Sequence, residues 1–591
     1  MFCLLGIAVL STALRIVLVS RVHDPIVFLD ELGYQKLAQS LGRSGQLALF
    51  DKGGPSYSPL YSVVLAPIYA LGASARTAYD WMKIVNAFLI SLSVFPIFKI
   101  ARFVLPRGES LLVAGLSALA PLMLYSSFVM SENLAYPLCL VAVWAMMEAV
   151  RAAGPRRDTV LLVSIVAASL ARLQLVVLLP VALTAVVLAA ALGRGVDQRL
   201  SRSLALVLRQ HFVLFVSTAA VVLVAGIRVL AGHGVLSLAG RYAVVGRQGL
   251  PSPWRVLELA LEHLAGLSFA VGVFPFTAAL VAASVFFRSG SPRKYVPFAS
   301  VAVALTAWLL LETAFDAALF DHGRDLSRIH ERYLIYVVPL FLVALVAAVR
   351  LPASKASTRA YLSAAAVTTL LPVFIPFHRV INITNVVDSF GLQLLGRIVD
   401  GAYVPIPHAT AVAIWISGTF ALTYVLIRHR LRTVVIFVMF VFLLVSSLAR
   451  TRVEAVEADV TSLVPLHRDW VDRTKPTGDV ILVTGSGKAL PWHETAFNNL
   501  SIARVYYLCR SMFGTEFGER AVTIDEMGRL RDQTGDVRSP YAVVPTSLHI
   551  LGRVIARNVQ GHQNLVATAD GRVRVAAGKQ ANTGCGPLNG A

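Results

Sequence analysis

Apolar runs long enough to cross about 30 Å of hydrocarbon, roughly 20 residues each, recur from Phe2 almost to Leu448, divided by short polar breaks. Only helices satisfy their own backbone at that depth, so the pattern predicts an α-helical polytopic membrane protein. The first span is expected over about residues 2–20, and the loop after it runs to about Pro59 through the turn sequence Lys52-Gly53-Gly54-Pro55. The run over residues 60–71 is short and holds Pro67. It reads as an interfacial or re-entrant helix rather than a span.

Basic positions support that choice. With residues 60–71 left on the outer face, the span at about 77–98 ends at Lys99, Arg102 and Arg107, which fall inside, and so do Arg151, Arg156 and Arg157. The later clusters around Arg194–Arg209, Arg288–Lys294, Arg350–Arg359 and Arg428–Arg432 follow the same side. Counting 60–71 as a span would invert every one of these loops, against the positive-inside rule. About thirteen spans result, with the N-terminus in and the C-terminus out. The run over 159–192 is too long for one span and breaks at Ala171-Arg172-Leu173-Gln174, placed at an outer turn. The outer loops left are 231–258, 315–332 and 378–407.

From about residue 450 the pattern becomes that of a soluble domain. Residues 479–484, 504–508 and 541–544 read as short buried strands and 523–531 as a helix, a small α/β domain. The expected division is a transmembrane domain over 1–449, with a first outer loop over 21–59, and an extracytoplasmic domain over 450–591. Thr484-Gly-Ser-Gly-Lys488 is not a phosphate loop, because Leu482 stands where the upstream glycine belongs and Ala489 follows the lysine. No transporter-type internal repeat and no low-complexity segment is visible.

Composition agrees and adds limits. Of 591 residues 57% are apolar and 15% charged, with a mean hydropathy of +0.70, which excludes a soluble protein. The net charge of +20 reads as topology signal, not as a nucleic-acid surface. The excess of Arg over Lys, with abundant Ala, Val and Leu, suggests a bacterium with a G+C-rich genome. Cys3 and Cys139 fall in apolar helices, while Cys509 and Cys585 lie in the tail and can pair if that tail is extracytoplasmic. Residues 1–20 lack a basic leader and an Ala-x-Ala site, so they read as a retained span. The sequons at Asn382 and Asn499 matter only in a glycosylating host.

The chemistry gathers on the outer face. Asp30 and Glu31 follow the first span directly; either they cap and start an amphipathic helix, with Asp30 as N-cap and Gly42 and Gly45 near its end, or they do chemistry. The expected topology adds Glu132, Arg172 and Gln174, Arg241 and Tyr242, and the cluster Asp321-His-Gly-Arg-Asp-Leu-Ser-Arg-Ile-His-Glu-Arg-Tyr333. Ionisable groups at the hydrocarbon boundary are costly, so a pathway, an ion pair or an active site is the default reading. Arginines bind phosphate in bidentate fashion, and a carboxylate partly removed from water serves as a general base. Together they describe transfer of a sugar from a lipid phosphate to an outer-face hydroxyl.

Asp30-Glu31-x-x-Tyr34-x-x-x-Ala38, then Leu41, Gly45 and Ser58-Pro59-Leu60, resembles the GT-C glycosyltransferases, in particular protein O-mannosyltransferases and the transferases that put aminoarabinose on lipid A. Glu132, the Arg172-x-Gln174 break, Glu331-Arg332-Tyr333 ahead of Pro339, and a tail with Trp492-His-Glu-Thr-Ala-Phe-Asn-Asn499 fit the same family. The resemblance implies that Asp30 is the catalytic base of a single inverting displacement, with Glu31 its partner or the base itself. The family's donor-phosphate lysine before the Pro-containing element is absent, with Tyr57 and Ser58 in its place. Phosphate binding then falls to Lys52, Arg172, Arg324, Arg328 or Arg332. Tyr34, Tyr57, Glu132, Gln174, Arg241, His330, Glu331 and Tyr333 are the candidate substrate contacts. The first loop has no Asp-x-Asp, so no metal or other cofactor is expected.

The resulting expectation is an inverting glycosyltransferase of a bacterial plasma membrane, moving a mannose- or arabinofuranose-class sugar from a polyprenyl-phosphate donor to a cell-envelope glycan, lipid or protein. Its partners are that donor, that acceptor and the bilayer, not nucleic acid. The alternative is a transporter or flippase of lipid-linked sugars, for which Glu148, Glu262, Glu312 and Arg228 are the candidate intramembrane charges. A scaffold that only anchors the tail leaves so many spans unexplained.

Overall fold

Eight helical stretches among the described residues are long and apolar enough to cross a membrane: Phe2–Val19, Ala75–Ala101, Glu132–Arg151, Leu173–Leu192, Phe212–Leu230, Arg293–Leu319, Glu331–Arg350 and Ala409–Ile427. A ninth is Pro253–Ala270 with Val273–Phe286, if a pair bent by 112° counts as one span. Shorter helices such as Arg107–Ala118, Pro155–Ala171 and Thr358–Leu370 stand at further places where the sequence predicts a span. The computed structural model describes residues 1–591 except 24, 26–27, 51, 54–56, 121–124, 193–199, 232–250, 289–292, 321–328, 351–355, 383–387, 390, 400–401, 428–431, 462–466, 485–489, 509–519 and 577–591.

Local sequence explains the element boundaries near the candidate residues. Pro59 opens the helix Pro59–Ala70 behind an extended Ser58, where a missing N–H costs nothing. Its 12 residues reach only about 18 Å, too short to span. The helix Pro155–Ala171 stops at Arg172, which is extended (φ −151°, ψ 115°), and a 3-10 turn over Leu173–Val177 leads into Leu178–Leu192. The expected break is therefore a real one.

The chain divides into two compact units. The first comprises Met1–Arg15, Ala87–Tyr125 and Glu132–Thr451; the second comprises Ile16–Asn86, Ser126–Ser131 and Arg452–Ala591. In the first, Glu132–Arg151 packs on Pro155–Ala171, Val273–Phe286 on Val338–Arg350, and Val296–Phe320 on both Leu178–Leu192 and Pro253–Ala270.

In the second unit the helix Phe28–Ser44 packs on Pro59–Ala70 and on the short helix Leu490–Asn498. A side chain at Gly42 would place its Cβ 2.4 Å from the Ala66 carbonyl oxygen, so glycine sets that close approach. The helix begins at Phe28, which puts Asp30 and Glu31 in its first turn, where acids favour the helix dipole. Asp30 is thus not the N-cap. Gly45 (φ +72°) ends the helix as expected.

The tail folds around a six-stranded mixed sheet in the order Gly552–Asn558, Gln563–Thr568, Tyr541–Pro545, Val480–Thr484, Ile502–Tyr507, Arg520–Ala521. Val480–Thr484 runs parallel to both its neighbours. Ile481, Val483, Tyr506, Val544 and Val566 fill the core on one face. The helix expected at 523–531 is instead a hairpin, Thr523–Ile524 against Leu530–Asp532. The Asp525 carboxylate accepts from the Met527 and Arg529 N–H groups, and Gly528 takes φ +73°. That local turn satisfies the backbone in place of a helix.

Candidate active site

In the second unit, the two acids of the first loop have different surroundings. Glu31 is fully buried and accepts a hydrogen bond from the Val129 N–H at 2.8 Å. Asp30 is only half-buried, and the Tyr57 hydroxyl donates to it at 3.4 Å. Tyr57 lies over the backbone of the same helix: a Cβ on Gly33 would fall 2.5 Å from the Tyr57 ring. The Tyr34 ring stands 4.9 Å from Tyr57 and 5.2 Å from Tyr61, and its hydroxyl donates to Ser131.

The segment 126–131 is held from several sides. Besides Glu31 and Tyr34, Tyr79 donates to the Ser127 carbonyl and Asn86 to the Phe128 carbonyl, while Tyr61 donates to Asn86. Glu31 is thus committed to backbone. Asp30 is the more exposed of the two carboxylates.

In the first unit a polar network is built on buried carboxylates and two arginines. Glu132, fully buried at the start of its helix, lies 2.6 Å from the Arg172 guanidinium. Arg172 Nε donates to Gln174, whose amide donates to Glu312 at 2.6 Å. The Tyr333 ring carries the Arg172 guanidinium at 4.9 Å and that of Arg332 at 5.0 Å. Arg332 pairs with Asp388 at 3.1 Å, and His330 stacks on Tyr333 at 5.1 Å. His263 Nδ1 faces the Leu259 carbonyl at 2.7 Å and Nε2 the His330 N–H at 3.1 Å. Those partners assign a neutral ring with its proton on Nδ1. Glu331 is buried and accepts from the Gly391 N–H at 2.7 Å.

No protein-family model matches the chain, and no curated protein matches it. Among solved structures it is similar to ArnT from Cupriavidus metallidurans bound to undecaprenyl phosphate, at 14% identity and a TM-score of 0.51, over 98% of this chain and 99% of that one. ArnT in the apo state gives 17% identity and a TM-score of 0.52, over 95% and 98% of the two chains. The fold is that of the GT-C glycosyltransferases.

Within this GT-C fold the sequence candidates separate. Asp30, Glu31, Tyr34 and Tyr57 stand together in the second unit, and Glu132, Arg172, Gln174, His330, Arg332 and Tyr333 in the first. Lys52 lies in a two-residue strand, Lys52–Gly53, with its side chain outside the described residues. Arg241, Tyr242, Arg324 and Arg328 lie outside the described residues, as do Cys509 and Cys585. Among the described residues no three His, Cys, Asp or Glu side chains are grouped to hold a metal ion.

Sequence reasoning missed Asp388 and His263, and assigned Glu312 to the transporter alternative. A carboxylate inside the apolar span Arg293–Leu319 was the available signal for Glu312. Asp388 and His263 have no local signature, since their partners are distant in sequence.

It also missed how the first-loop helix is anchored. Gln35 donates to the Phe497 carbonyl at 2.7 Å, Lys36 to that of Asn499 at 3.2 Å and Gln39 to that of Leu500 at 2.9 Å. Those carbonyls lie at the C-terminal end of Leu490–Asn498, where a cation suits the dipole. Burial pushes the Lys36 ammonium down to about 7; Asp472 pulls it up and Arg43 adds to the lowering. The ordinary value is 10.5, so between about pH 7 and pH 10.5 the unfolded chain holds more protons, and folding stability rises with pH through that window. Thermal unfolding of the wild type is expected to show this rise and Lys36→Met to lack it. Equal slopes in the two proteins would assign the titration to another group.

Proposed function

We propose that the chain is a membrane glycosyltransferase that takes a sugar from a polyprenyl-phosphate donor and passes it, with inversion, to a hydroxyl of a cell-envelope glycan, lipid or protein. The observation that carries this reading is the likeness in fold, over nearly the whole chain, to ArnT bound to undecaprenyl phosphate. The half-buried Asp30 beside Tyr57 supports it, since a carboxylate in that setting suits a general base. So do two guanidinium groups on one tyrosine ring, the residue type that grips a phosphate by paired N–H bonds.

In the proposed reaction Asp30 takes the acceptor hydroxyl's proton and the oxygen attacks the anomeric carbon. The bond from that carbon to the phosphate oxygen breaks, and polyprenyl phosphate leaves with the electron pair. A leaving phosphate calls for guanidinium groups, and Arg172 and Arg332, whose planes Glu132, Gln174 and Asp388 fix, are side chains of that type gathered on one ring. Glu31 positions the loop and is not the base. The energy is stored in the phosphate ester, so no nucleotide site is required.

Purified protein in liposomes, given radiolabelled mannose- or arabinofuranose-bearing polyprenyl phosphate and an envelope extract as acceptor, is expected to move label from the lipid to the acceptor. Label that crosses the bilayer while staying on its lipid would instead establish a flippase.

A further inference from the structure

We propose that a second site in this protein, away from the acid pair, binds the phosphate-bearing headgroup of an anionic lipid. It is a cavity of about 730 Å³ whose lining residues all belong to the second unit. The proposal concerns binding alone and stands whether or not the chain transfers sugar.

The cavity has an apolar side and a basic side. Ile16 and Val19 come from the end of the span Phe2–Val19, and Ile84 from the early turns of the span Ala75–Ala101. Span ends lie at the depth of lipid headgroups, so this wall meets the glycerol and upper acyl region of a lipid. Arg76, Lys83, Arg468 and Arg473 supply four cations against the two acids Asp80 and Asp469. The excess is positive, and the rings of His23 and His467 line the same cavity.

Much of that charge is arranged before any ligand arrives. Lys83 pairs with Asp80 at 3.0 Å and donates to the Val22 carbonyl, and Arg473 pairs with Asp469 at 3.0 Å. Arg468 donates to the His23 carbonyl at 2.8 Å. Arg76 and His467 have no hydrogen-bond or ion-pair partner among the described residues. The turn that carries Arg468 and Arg473 is fixed: the Asn499 side chain accepts from Val471 and Asp472 N–H and donates to the Arg468 carbonyl. The Asp472 carboxylate in turn accepts from Leu500 and Ser501 N–H. A basic wall held this way loses little entropy when an anion binds.

The start of the helix Ala75–Ser91 adds to the same side. Ser74, Arg76 and Thr77 line the cavity, the Ser74 hydroxyl accepts from the Thr77 N–H, and the first turn carries no acid. A helix start favours a phosphate, and arginines match its oxygens in pairs. A basic rim above an apolar wall at the membrane surface fits an amphipathic anion better than a soluble one.

Full-length protein in zwitterionic detergent micelles, titrated with fluorescent phosphatidylglycerol and fluorescent phosphatidylcholine, tests this. Phosphatidylglycerol is expected to bind at least about tenfold more tightly. Arg76→Gln/His467→Gln is expected to abolish most of that preference without altering the elution profile, because neither side chain has a described protein partner. Arg293→Gln, at the end of a different span, is expected to retain it. Equal affinity for the two lipids, a preference that survives the double substitution, or an equal loss in Arg293→Gln would each overturn the site. Inorganic phosphate binding as tightly as phosphatidylglycerol would overturn the lipid as occupant.

Discussion

Asp30→Asn lowers sugar transfer by about 10²–10⁴-fold, the usual contribution of a positioned general base, while leaving the yield and the melting temperature of the protein unchanged. The amide keeps the shape of the carboxylate and can still accept from Tyr57, so the helix start and its tyrosine cover stay in place. What it loses is the capacity to take a proton. Glu31 provides the contrast. Its carboxylate is buried and bonded to the Val129 N–H, so Glu31→Gln keeps that acceptor and retains most activity. Glu31→Ala leaves a buried donor unsatisfied and costs about 1–3 kcal/mol of stability. Initial rates with the labelled donor, read beside melting curves, separate the two acids. Wild-type turnover in Asp30→Asn, or a dead but stable Glu31→Gln, would reverse the assignment.

The second large effect is expected at Arg172. Replacing it by alanine removes the guanidinium that faces the fully buried Glu132 at 2.6 Å. Breaking a buried pair from one side typically costs about 3–5 kcal/mol, because the remaining charge is left in a poorly solvated place. Arg172→Ala is therefore expected to melt well below the wild type and to be inactive. Arg172→Met/Glu132→Leu removes both charges and is expected to recover much of the stability and none of the activity. That split assigns Arg172 to two tasks, one structural and one at the donor phosphate. A double variant that regains turnover would deny the second task, and an Arg172→Ala protein as stable as the wild type would deny the first.

The parts of the molecule that could be read from sequence are those with a local signal. A span such as Glu132–Arg151 declares itself by a largely apolar run, interrupted near its end by Glu148, with Glu132 at one end and Arg151 at the other. Pro59 after Ser58 marks a helix start, and Arg172 between two apolar runs marks a break. The hairpin at 523–532 was misread because a stretch of mixed polarity leaves helix and turn equally open until Asp525 is seen to bond its own backbone. Gln35, Lys36 and Gln39 look like the solvated face of an amphipathic helix. Their acceptors are backbone carbonyls, which have no side-chain identity and leave no trace in a sequence. His263 and Asp388 were hidden for a related reason, since each becomes meaningful only through a neighbour brought near by folding.

The anchoring of the first-loop helix has a bearing on how the protein is made. Its three donors find their acceptors 461 to 463 residues further along the chain. At ribosomal speeds of roughly 5–20 residues per second, between about 20 seconds and a minute and a half passes before those acceptors exist. The face of that helix carrying Gln35, Lys36 and Gln39 thus waits out this interval without its acceptors, while the face packed on Pro59–Ala70 has its partner within seconds of synthesis.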